Sequence, residues 1–448
     1  MKTVSIFIGL ILSCCILQGC KKNSGPNDPV LSEADVAHQW ADMALYITKN
    51  TPANSPTYAS RCLGYIGLTM YESIVNGYPE YHSLAGQLNG LNHLPVPDTT
   101  KPFSWPIALN AAQAQIIRLI YQQTADTNQL KIDSLERRIY HSIKNRLDHS
   151  TLERSVQYGR SIADQIFLWS STDGGHRGYL NNFDKKLVFA PKPGGWKPPL
   201  YAQSISHYPL HPHWGNNRTF VAANGMVSNP AFIAFDTSRS SAYFQQYRQV
   251  YEKEKTLTQA EKEAAIWWAD DPDATFTPPG HSYYLAKTIL KIKQATLIES
   301  AMTYAQVSIS VADAFRNCWK WKYIFFSERP NTFIPEHLDQ NWESFWPEPP
   351  FPAFPSGHAI QGSACAAILA HDFGDDFNFI DSAHYGRKKD MIRNTEFKPR
   401  TFHSFSQMAK EIADSRFYGG IHTPQDNQAG LDKGNEIAEN VLKLKWKN

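Results

Sequence analysis

The chain has 448 residues, a formal net charge of +2 and 13% aromatic residues. This length is sufficient for two or three domains or for one large core, and a mean hydropathy of -0.43 indicates a water-soluble bulk. A charge so close to neutral, without a basic tract, argues against nucleic acid as a partner.

The first 20 residues are predicted to be a bacterial lipoprotein signal peptide. Lys2 precedes an apolar run from Val4 to Leu17, which is too short to span a bilayer. The sequence from Leu17 to Cys20 resembles a lipobox, so Cys20 is the predicted lipidation site and residues 21–31 are a polar tether. The body is then exported and held by lipid at a membrane of a bacterial cell envelope, on the periplasmic or outer-membrane face. An ordinary signal peptide or an uncleaved anchor is the alternative.

Residues 32–170 predict an N-terminal helical region, because their apolar residues recur at helical spacing. The predicted helices span 32–49, 55–75 and 105–123, with two more within 128–169.

Residues 171–257 are rich in glycine and proline and predict a long irregular segment that covers or connects the helical regions. This segment holds His207, His211 and His213, which could ligate a metal. Their spacing fits no common zinc pattern, and no cysteine or carboxylate lies close to them in sequence. Packing in a surface loop is therefore the simpler interpretation.

Residues 258–448 predict a helical bundle that carries the active half of the molecule. Its predicted helices span 258–268, 281–293, 295–322, 356–373, 405–417 and 427–444. Residues 331–354 are predicted to be a loop, residues 374–401 are polar and irregular, and Pro278-Pro279-Gly280 is predicted to break a helix. No stretch shows sustained period-two alternation, so the predicted fold is all-α, with helical bundles and long irregular loops.

The cysteines do not predict a disulfide framework. Besides Cys20 and the two cysteines of the signal peptide, the chain has Cys62, Cys318 and Cys365, which are scattered. Cys318 and Cys365 are predicted to be buried on helices, and one bridge among the three stays open.

The helix that begins at Ser356 is the centre of a predicted oxyanion site. Ser356 is a good N-cap, and Gly357 lets a ligand approach the backbone. Free N–H groups and the helix dipole favour an anion there. Lys322, Arg329 and Arg416 would add fixed positive charge, since arginine suits the face of an oxyanion and lysine supplies a point charge.

Two imidazoles remain for chemistry at this site. His358 lies in the first turn of the same helix, and His422 follows Arg416 in the chain. A neutral imidazole can ligate a metal or attack phosphorus, and a protonated one can donate to a leaving oxygen. Asp426 lies four residues after His422 and could orient its ring by a hydrogen bond.

In this order and spacing, these residues resemble the three signatures of the superfamily of vanadium-dependent haloperoxidases and type 2 phosphatidic acid phosphatases. The matching stretches run from Lys322 to Pro330, from Pro355 to His358 and from Ser415 to Asp426. The resemblance implies that vanadate or phosphate oxygens are held by Lys322, Arg329, Ser356, Gly357 and Arg416. It implies that His422 is the vanadium ligand, or the nucleophile of a phosphohistidine, and that His358 is the general acid and base.

Three features favour the soluble haloperoxidase branch of this superfamily. The chain has no membrane helix after its signal, its N-terminal half is large and helical, and the stretches PPFPAFPSGHA and SRFYGGIH resemble that branch. By the same resemblance, Trp319 and Phe351 are expected in the pocket wall. Asp271 is expected to pair with Arg416.

The sequence therefore predicts a vanadate-dependent haloperoxidase, without haem, that oxidises halide with hydrogen peroxide in the presence of an organic acceptor. One alternative is an acid phosphatase that hydrolyses phosphate esters through phosphorylated His422. Another is a non-catalytic envelope lipoprotein that binds an oxyanion, although a binding module has no need of both imidazoles.

Overall fold

The structure, a computed structural model, describes residues 32–199, 202–203, 206–272 and 274–448. These residues form thirteen α-helices and one sheet of two strands, which confirms the all-α fold. The predicted signal peptide, the lipidation site at Cys20 and the tether lie outside the described residues. Among the helices that the structure describes, none combines the length and the apolar character needed to cross a bilayer.

Five helices form the N-terminal half of the described chain. They are α1 (Glu33–Lys49), α2 (Pro56–Glu72), α3 (Trp105–Ile120), α4 (Asp126–Ile143) and α5 (His149–Ser170). Side-chain caps fix the start of several of them: the Ser32 hydroxyl accepts a hydrogen bond from the Asp35 N–H, and the Ser55 hydroxyl accepts one from Tyr58. The two helices expected within residues 128–169 correspond to α4 and α5.

The segment 171–257 is less irregular than predicted, because it contains α6 (Ala242–Glu254). The glycine and proline residues that suggested irregular structure end at Pro230, whereas Tyr243 and Tyr247 recur at helical spacing after it. Both aromatic rings pack on Phe333 from the C-terminal half. Tertiary packing of this aromatic face stabilises α6, a helix that the composition of the whole segment did not predict.

The C-terminal half contains the remaining elements. They are α7 (Gln259–Trp267), α8 (Thr277–Lys293), α9 (Leu297–Phe325), α10 (Pro330–His337), α11 (Gly357–Phe373), β1 (Asp376–Asp381), β2 (Arg400–Ser404), α12 (Phe405–Tyr418) and α13 (Pro424–Leu442). Strands β1 and β2 pair antiparallel within a region predicted to be irregular, and α10 lies within a predicted loop. Pro278-Pro279-Gly280 opens α8 instead of breaking it, because a first turn leaves its N–H groups unbonded and so tolerates proline.

Helix α9 joins the two halves into one hydrophobic core. It is 29 residues long and buried along most of its length, and α1, α2, α8, α11 and α13 all contact it. Its approach to α2 is very close, since a Cβ atom on Gly67 would lie 2.2 Å from the Ser308 hydroxyl. Cys62, Cys318 and Cys365 lie buried in this core as free thiols, so the bridge left open by the sequence does not form. The last turn of α9 carries Lys322 to the candidate site.

Candidate active site

Some of the signature residues line a cavity of about 380 Å³ between the two halves of the chain. Gly357, His358 and His422 lie in its wall. Lys322, Arg329 and Arg416 come from α9, the start of α10 and α12, and each is fully buried. Three buried cations beside two imidazoles form an environment that would be strongly unfavourable without an anion.

The start of α11 has the geometry expected of an anion-binding helix terminus. Ser356 caps the helix, with its hydroxyl 3.3 Å from the Ala359 nitrogen, and its own N–H donates to the Asp426 carbonyl at 2.9 Å. A Cβ atom on Gly357 would lie 3.7 Å from the Trp319 ring, which is an ordinary contact. Packing alone therefore does not require glycine here, and the space above residue 357 is that of the cavity.

His422 is held in one orientation and kept neutral. Its Nδ1 lies 3.1 Å from the Asp426 carboxylate, which also accepts from the Thr423 N–H at 3.0 Å. Burial and the charges of Arg329 and Lys322 lower the pKa of His422 well below its ordinary value. The Nδ1 proton then points to Asp426, and Nε2 keeps a lone pair, 3.4 Å from an Arg329 nitrogen.

Lys322 and Arg329 also fix the loop that leads into α11. The Lys322 ammonium donates to the carbonyl oxygens of Pro352, Ala353 and Pro355 at 2.7–2.9 Å. Arg329 donates from Nε to the Phe351 carbonyl at 2.9 Å. Burial lowers the pKa of Lys322 to about 7 and that of Arg329 to about 10. All three ammonium protons of Lys322 are thus engaged with backbone, so its influence on His422 in this arrangement is electrostatic.

Arg416 and His358 retain unused hydrogen-bonding capacity. Arg416 donates to the Ser415 hydroxyl at 3.0 Å and to the Ala265 carbonyl, but its Nη1 has no partner among the described residues. His358 bonds to the Ala269 backbone, while its buried Nε2 is likewise unpaired there. Burial and the charge of Arg416 lower the pKa of His358 to about 3. Buried polar atoms without partners are rare in folded proteins, and a bound oxyanion would supply an acceptor for Arg416 Nη1 and, through a protonated oxygen, a donor for His358 Nε2.

The residues expected around the site are present, with one difference in pairing. Trp319 and Phe351 line the cavity with ring centroids 4.8 Å apart. Asp271 also lines it, but its carboxylate accepts from Gln203 at 2.8 Å, and the expected ion pair with Arg416 is not among the salt bridges of the described chain. Burial lowers the pKa of Arg416 to about 10, and the nearby charge of Asp271 partly opposes that shift.

Sequence reasoning missed a buried network behind Asp271. His281 lies between two carboxylates, 2.8 Å from Asp270 and 2.8 Å from Asp381, and His384 is 2.8 Å from Asp270. Burial lowers the pKa of His281, but the two carboxylates outweigh it and raise the pKa to about 10. Because these residues are spread over more than 100 positions of the chain, no local spacing pattern predicts that they meet.

Within the described ranges, Asp270, His281 and His384 are the one group whose ligating atoms lie close enough to hold a metal. Hydrogen bonds among these residues already account for their arrangement. The histidine-rich stretch behaves differently: His211 contacts the Thr57 hydroxyl and the Gly178 carbonyl, and His213 pairs with Asp184. These contacts of His211 and His213 hold the segment 171–257 at the cavity wall.

The N-terminal half also contributes to the wall of the cavity, through residues that no sequence motif indicates. Asn54, Ser55 and Pro56 line the cavity at the start of α2, and Asn182 and Phe183 line it from the segment 171–257. The side chains that reach the cavity are thus supplied by both halves.

Comparison with known proteins gives three kinds of finding. Residues 302–447, which contain all three signatures, match a family model described as the VCPO second helical-bundle domain. The fold is similar to that in the crystal structure of the first bacterial vanadium-dependent iodoperoxidase, with a TM-score of 0.79 and 28% sequence identity over 93% of this chain and 97% of that one. No curated protein matches the chain.

Two further solved structures share the fold at lower identity. The holo-type bacterial vanadium-dependent chloroperoxidase has a TM-score of 0.64 and 16% identity, over 93% of each chain. The apo-type structure has a TM-score of 0.63 and 15% identity, over 93% of this chain and 94% of that one. Both likenesses concern the fold alone.

Proposed function

Because the chain belongs to the superfamily of vanadium-dependent haloperoxidases and type 2 phosphatidic acid phosphatases, we propose that it is a vanadate-dependent haloperoxidase that oxidises halide with hydrogen peroxide. The observation that carries this proposal is the neutral His422, whose Nε2 lies 3.4 Å from an Arg329 nitrogen and whose pKa is lowered by burial and by the charges of the buried cations Arg329, Lys322 and Arg416. The similarity to a bacterial vanadium-dependent iodoperoxidase over almost the whole chain supports the same reaction class.

The donor set fits vanadate. His422 offers an imidazole lone pair, while Arg329, Arg416 and the start of α11 offer hydrogen-bond donors to oxyanion oxygens. The unpaired Arg416 Nη1 and His358 Nε2 are the atoms that such a ligand would satisfy. Bound vanadate would supply the Lewis-acidic centre at which hydrogen peroxide becomes able to oxidise halide.

The chain's own residues would orient the ligand nitrogen, offset the charge of the bound oxyanion and transfer protons. Asp426 holds the Nδ1 proton of His422 and so keeps Nε2 available, and Lys322 and Arg329 offset the negative charge that the ligand brings. Electrostatic stabilisation of this kind is commonly worth ~3 kcal/mol for each donor. His358 is neutral in the free chain, and an anion nearby would raise its pKa, so its Nε2 can take up and return a proton during turnover.

We also propose that the chain is exported and lipidated at Cys20, and that its body is organised as regions 32–170, 171–257 and 258–448. Export would give the enzyme access to peroxide and halide outside the cytoplasm. Mass spectrometry of the membrane fraction tests the lipid, and a Cys20→Ala variant that still partitions with membranes would contradict it.

The central experiment measures halide oxidation by peroxide in the purified, metal-free chain, with and without added orthovanadate and with phosphate as a competitor. We expect activity that depends on vanadate and that phosphate suppresses. His422→Ala should lose vanadate binding, whereas His358→Ala should keep binding and lose turnover. Peroxidase activity in the His422 variant would contradict the proposal. Hydrolysis of phosphate esters that vanadate inhibits, without oxidation of any halide, would favour the phosphatase instead.

A further inference from the structure

The loop between β1 and β2 leaves large apolar side chains in water. Met391 and Ile392, which we call the apolar tip, are 79% and 88% exposed, and Tyr385 in the same loop is 78% exposed. Among the described residues, Met391 and Ile392 are the one pair of chain neighbours that are both large, apolar and exposed. Single exposed apolar side chains are common on folded proteins, but three within one short loop indicate a surface that contacts a partner.

Hydrogen bonds hold the apolar tip in a defined conformation. The backbones of Asp390 and Thr395 exchange two hydrogen bonds, at 2.9 and 3.1 Å, so that residues 391–394 form the closed end of a tight turn. The Arg393 guanidinium pairs with the Asp390 carboxylate at 2.8 Å and lies over the Trp346 ring at 4.2 Å. The tip is therefore ordered before any partner binds, which lowers the entropic cost of binding.

The apolar tip is flanked by positive charge. Residues 385–393 contain four basic residues and one acidic residue, Asp390, which pairs with Arg393. Lys388 and Lys389 are exposed, and neither forms a salt bridge within the described chain. Apolar side chains beside lysines are the combination by which proteins bind the headgroup region of an anionic bilayer, because the lysines meet lipid phosphates while the apolar groups enter the boundary with the acyl chains.

The predicted tether is long enough for this loop to reach the membrane that would hold Cys20. Helix α8 links the two regions: His281 in its first turn bonds to Asp381, just before the loop, and Lys291 near its end lines the same groove as Ser32. The helix between these two residues spans about 15 Å. The tether, residues 21–31, can extend over roughly 36 Å, which leaves length for the loop itself. This step alone rests on the proposed lipidation.

We infer that residues 385–393 form a membrane-binding surface, in which the apolar tip enters the headgroup region of an anionic phospholipid bilayer and Lys388 and Lys389 contact its phosphates. The inference goes beyond the proposed function, because membrane contact involves neither vanadate nor halide. Together with a lipid at Cys20, this surface would give the body two points of attachment and so fix its orientation on the membrane.

The first test measures binding to vesicles by co-sedimentation. It uses the chain from residue 21, which lacks the predicted signal peptide and lipid but keeps every residue of the single hydrophobic core. We expect binding to vesicles of equimolar phosphatidylglycerol and phosphatidylcholine, little binding to phosphatidylcholine alone, and a loss of binding as salt is added. Equal binding to both kinds of vesicle would overturn the inference. Binding to neither would also overturn it and would leave the loop as a surface for a protein partner.

The second test removes the apolar tip. Met391→Asn combined with Ile392→Asn should lower the affinity for the anionic vesicles about tenfold or more, since both apolar side chains are lost. Met226→Asn, which changes a methionine of equal exposure outside the loop, should leave the affinity unchanged. The free energy of unfolding in urea should be the same in both variants as in the parent chain, because these side chains lie in water. An unchanged affinity in the double variant would contradict the inference.

The third test removes the charge. Lys388→Gln combined with Lys389→Gln should lower the affinity about five- to thirtyfold, the effect of two lysines at an anionic surface. Arg137→Gln combined with Arg138→Gln removes the same charge from an exposed pair on α4 and should lower it by no more than about twofold, because attraction to the bilayer declines over a Debye length. Equal losses in the two variants would mean that overall charge, and not this loop, attracts the chain to the bilayer.

A label on the apolar tip locates the contact. Ile392→Cys carries a fluorophore whose emission shifts to the blue in apolar surroundings, and Cys62, Cys318 and Cys365 are buried and so protected from labelling. We expect a blue shift when the anionic vesicles are added, and none for the same label at Met226→Cys. If the labelled chain binds without a shift at position 392, or with an equal shift at both positions, another surface meets the bilayer and the inference is wrong.

Discussion

Two buried charged clusters lie near each other, one around His281 and one that contains Arg416 and His358, and they differ in how completely their polar atoms are bonded. In the first, His281 is held by Asp270 and Asp381 through both of its ring nitrogens. In the second, Arg416 Nη1 and His358 Nε2 have no partner in the described chain. Both clusters are costly to bury, but only the second leaves buried polar atoms without a partner among the described residues.

The cluster around His281 is therefore a structural network, whereas the cluster that contains Arg416 and His358 is a binding site. The network around His281 anchors the turn at Asp270, which has a left-handed φ of 51°, and the preceding residue, Ala269, bonds His358 through its backbone. The cationic cluster is complete only with a ligand. Variants in the first cluster should therefore change stability, and variants in the second should change ligand binding.

The largest effect is expected from His281→Ala, which leaves two buried carboxylates without their cation. Removing one partner of a buried ion pair typically costs about 3–5 kcal/mol. The free energy of unfolding in urea measures this loss. His403→Ala changes an exposed histidine and should alter it by less than about 0.5 kcal/mol. Equal stabilities of the two variants would show that the network does not support the fold.

The same network predicts a pH dependence. The folded pKa of His281, about 10, lies above the ordinary value of 6.5, so its stabilisation is complete below pH 6.5 and is lost as the pH rises towards 10. The difference in unfolding free energy between the parent chain and His281→Asn should shrink over this window, by at most about 1.4 kcal/mol per pH unit. A difference that stays constant from pH 6 to 10 would mean that His281 is neutral in the folded chain.

In the cationic cluster, Asp426→Asn should weaken vanadate binding without a comparable loss of stability. An amide does not hold the Nδ1 proton of His422 as a carboxylate does, and loss of such an orienting partner typically costs 10–100-fold, as an order of magnitude, in metal affinity. Titration of the variant with orthovanadate measures the change. Asp432→Asn, an exposed substitution on the same helix, is the control. Unchanged affinity in Asp426→Asn would contradict the orienting role.

The smallest change in stability is expected from Gly357→Ala. Its methyl group would make an ordinary contact with Trp319, so the free energy of unfolding should change by less than about 1 kcal/mol. Vanadate affinity should fall, because the methyl group enters the cavity. Gly362→Ala on the same helix is the opposite case, since its Cβ would lie 2.9 Å from Ile412 and should reduce stability. A Gly357→Ala chain with full vanadate affinity would show that the ligand does not approach this residue.

The sequence was most informative where neighbouring residues carry the chemistry. The signatures around Arg329, Ser356 and His422 each lie within a short stretch, and the capping residues Ser32 and Thr258 mark helix starts by local hydrogen bonds that sequence alone reveals. Helix α6 was missed because its stability comes from packing on Phe333, a contact across about 90 residues of chain.

The rest of the site depends on contacts between distant residues, which no local pattern encodes. His281 and Asp381 meet only because α8 packs beside β1, and Asn54 joins the cavity only because α2 lies along α9. Asp271 was expected to pair with Arg416, but Gln203, from a segment with no helical or strand pattern, supplies its hydrogen bond. Residues of this kind require a three-dimensional structure to be recognised.

The single core built around α9 has a consequence for proteolysis. Val188, 87% exposed, lies in an irregular stretch between the two halves, where a protease could cut the backbone. Because α2 and α9 are packed in one hydrophobic core, the two fragments would stay associated after such a cut. The nicked chain should migrate as one species in native gel filtration and separate only in denaturant.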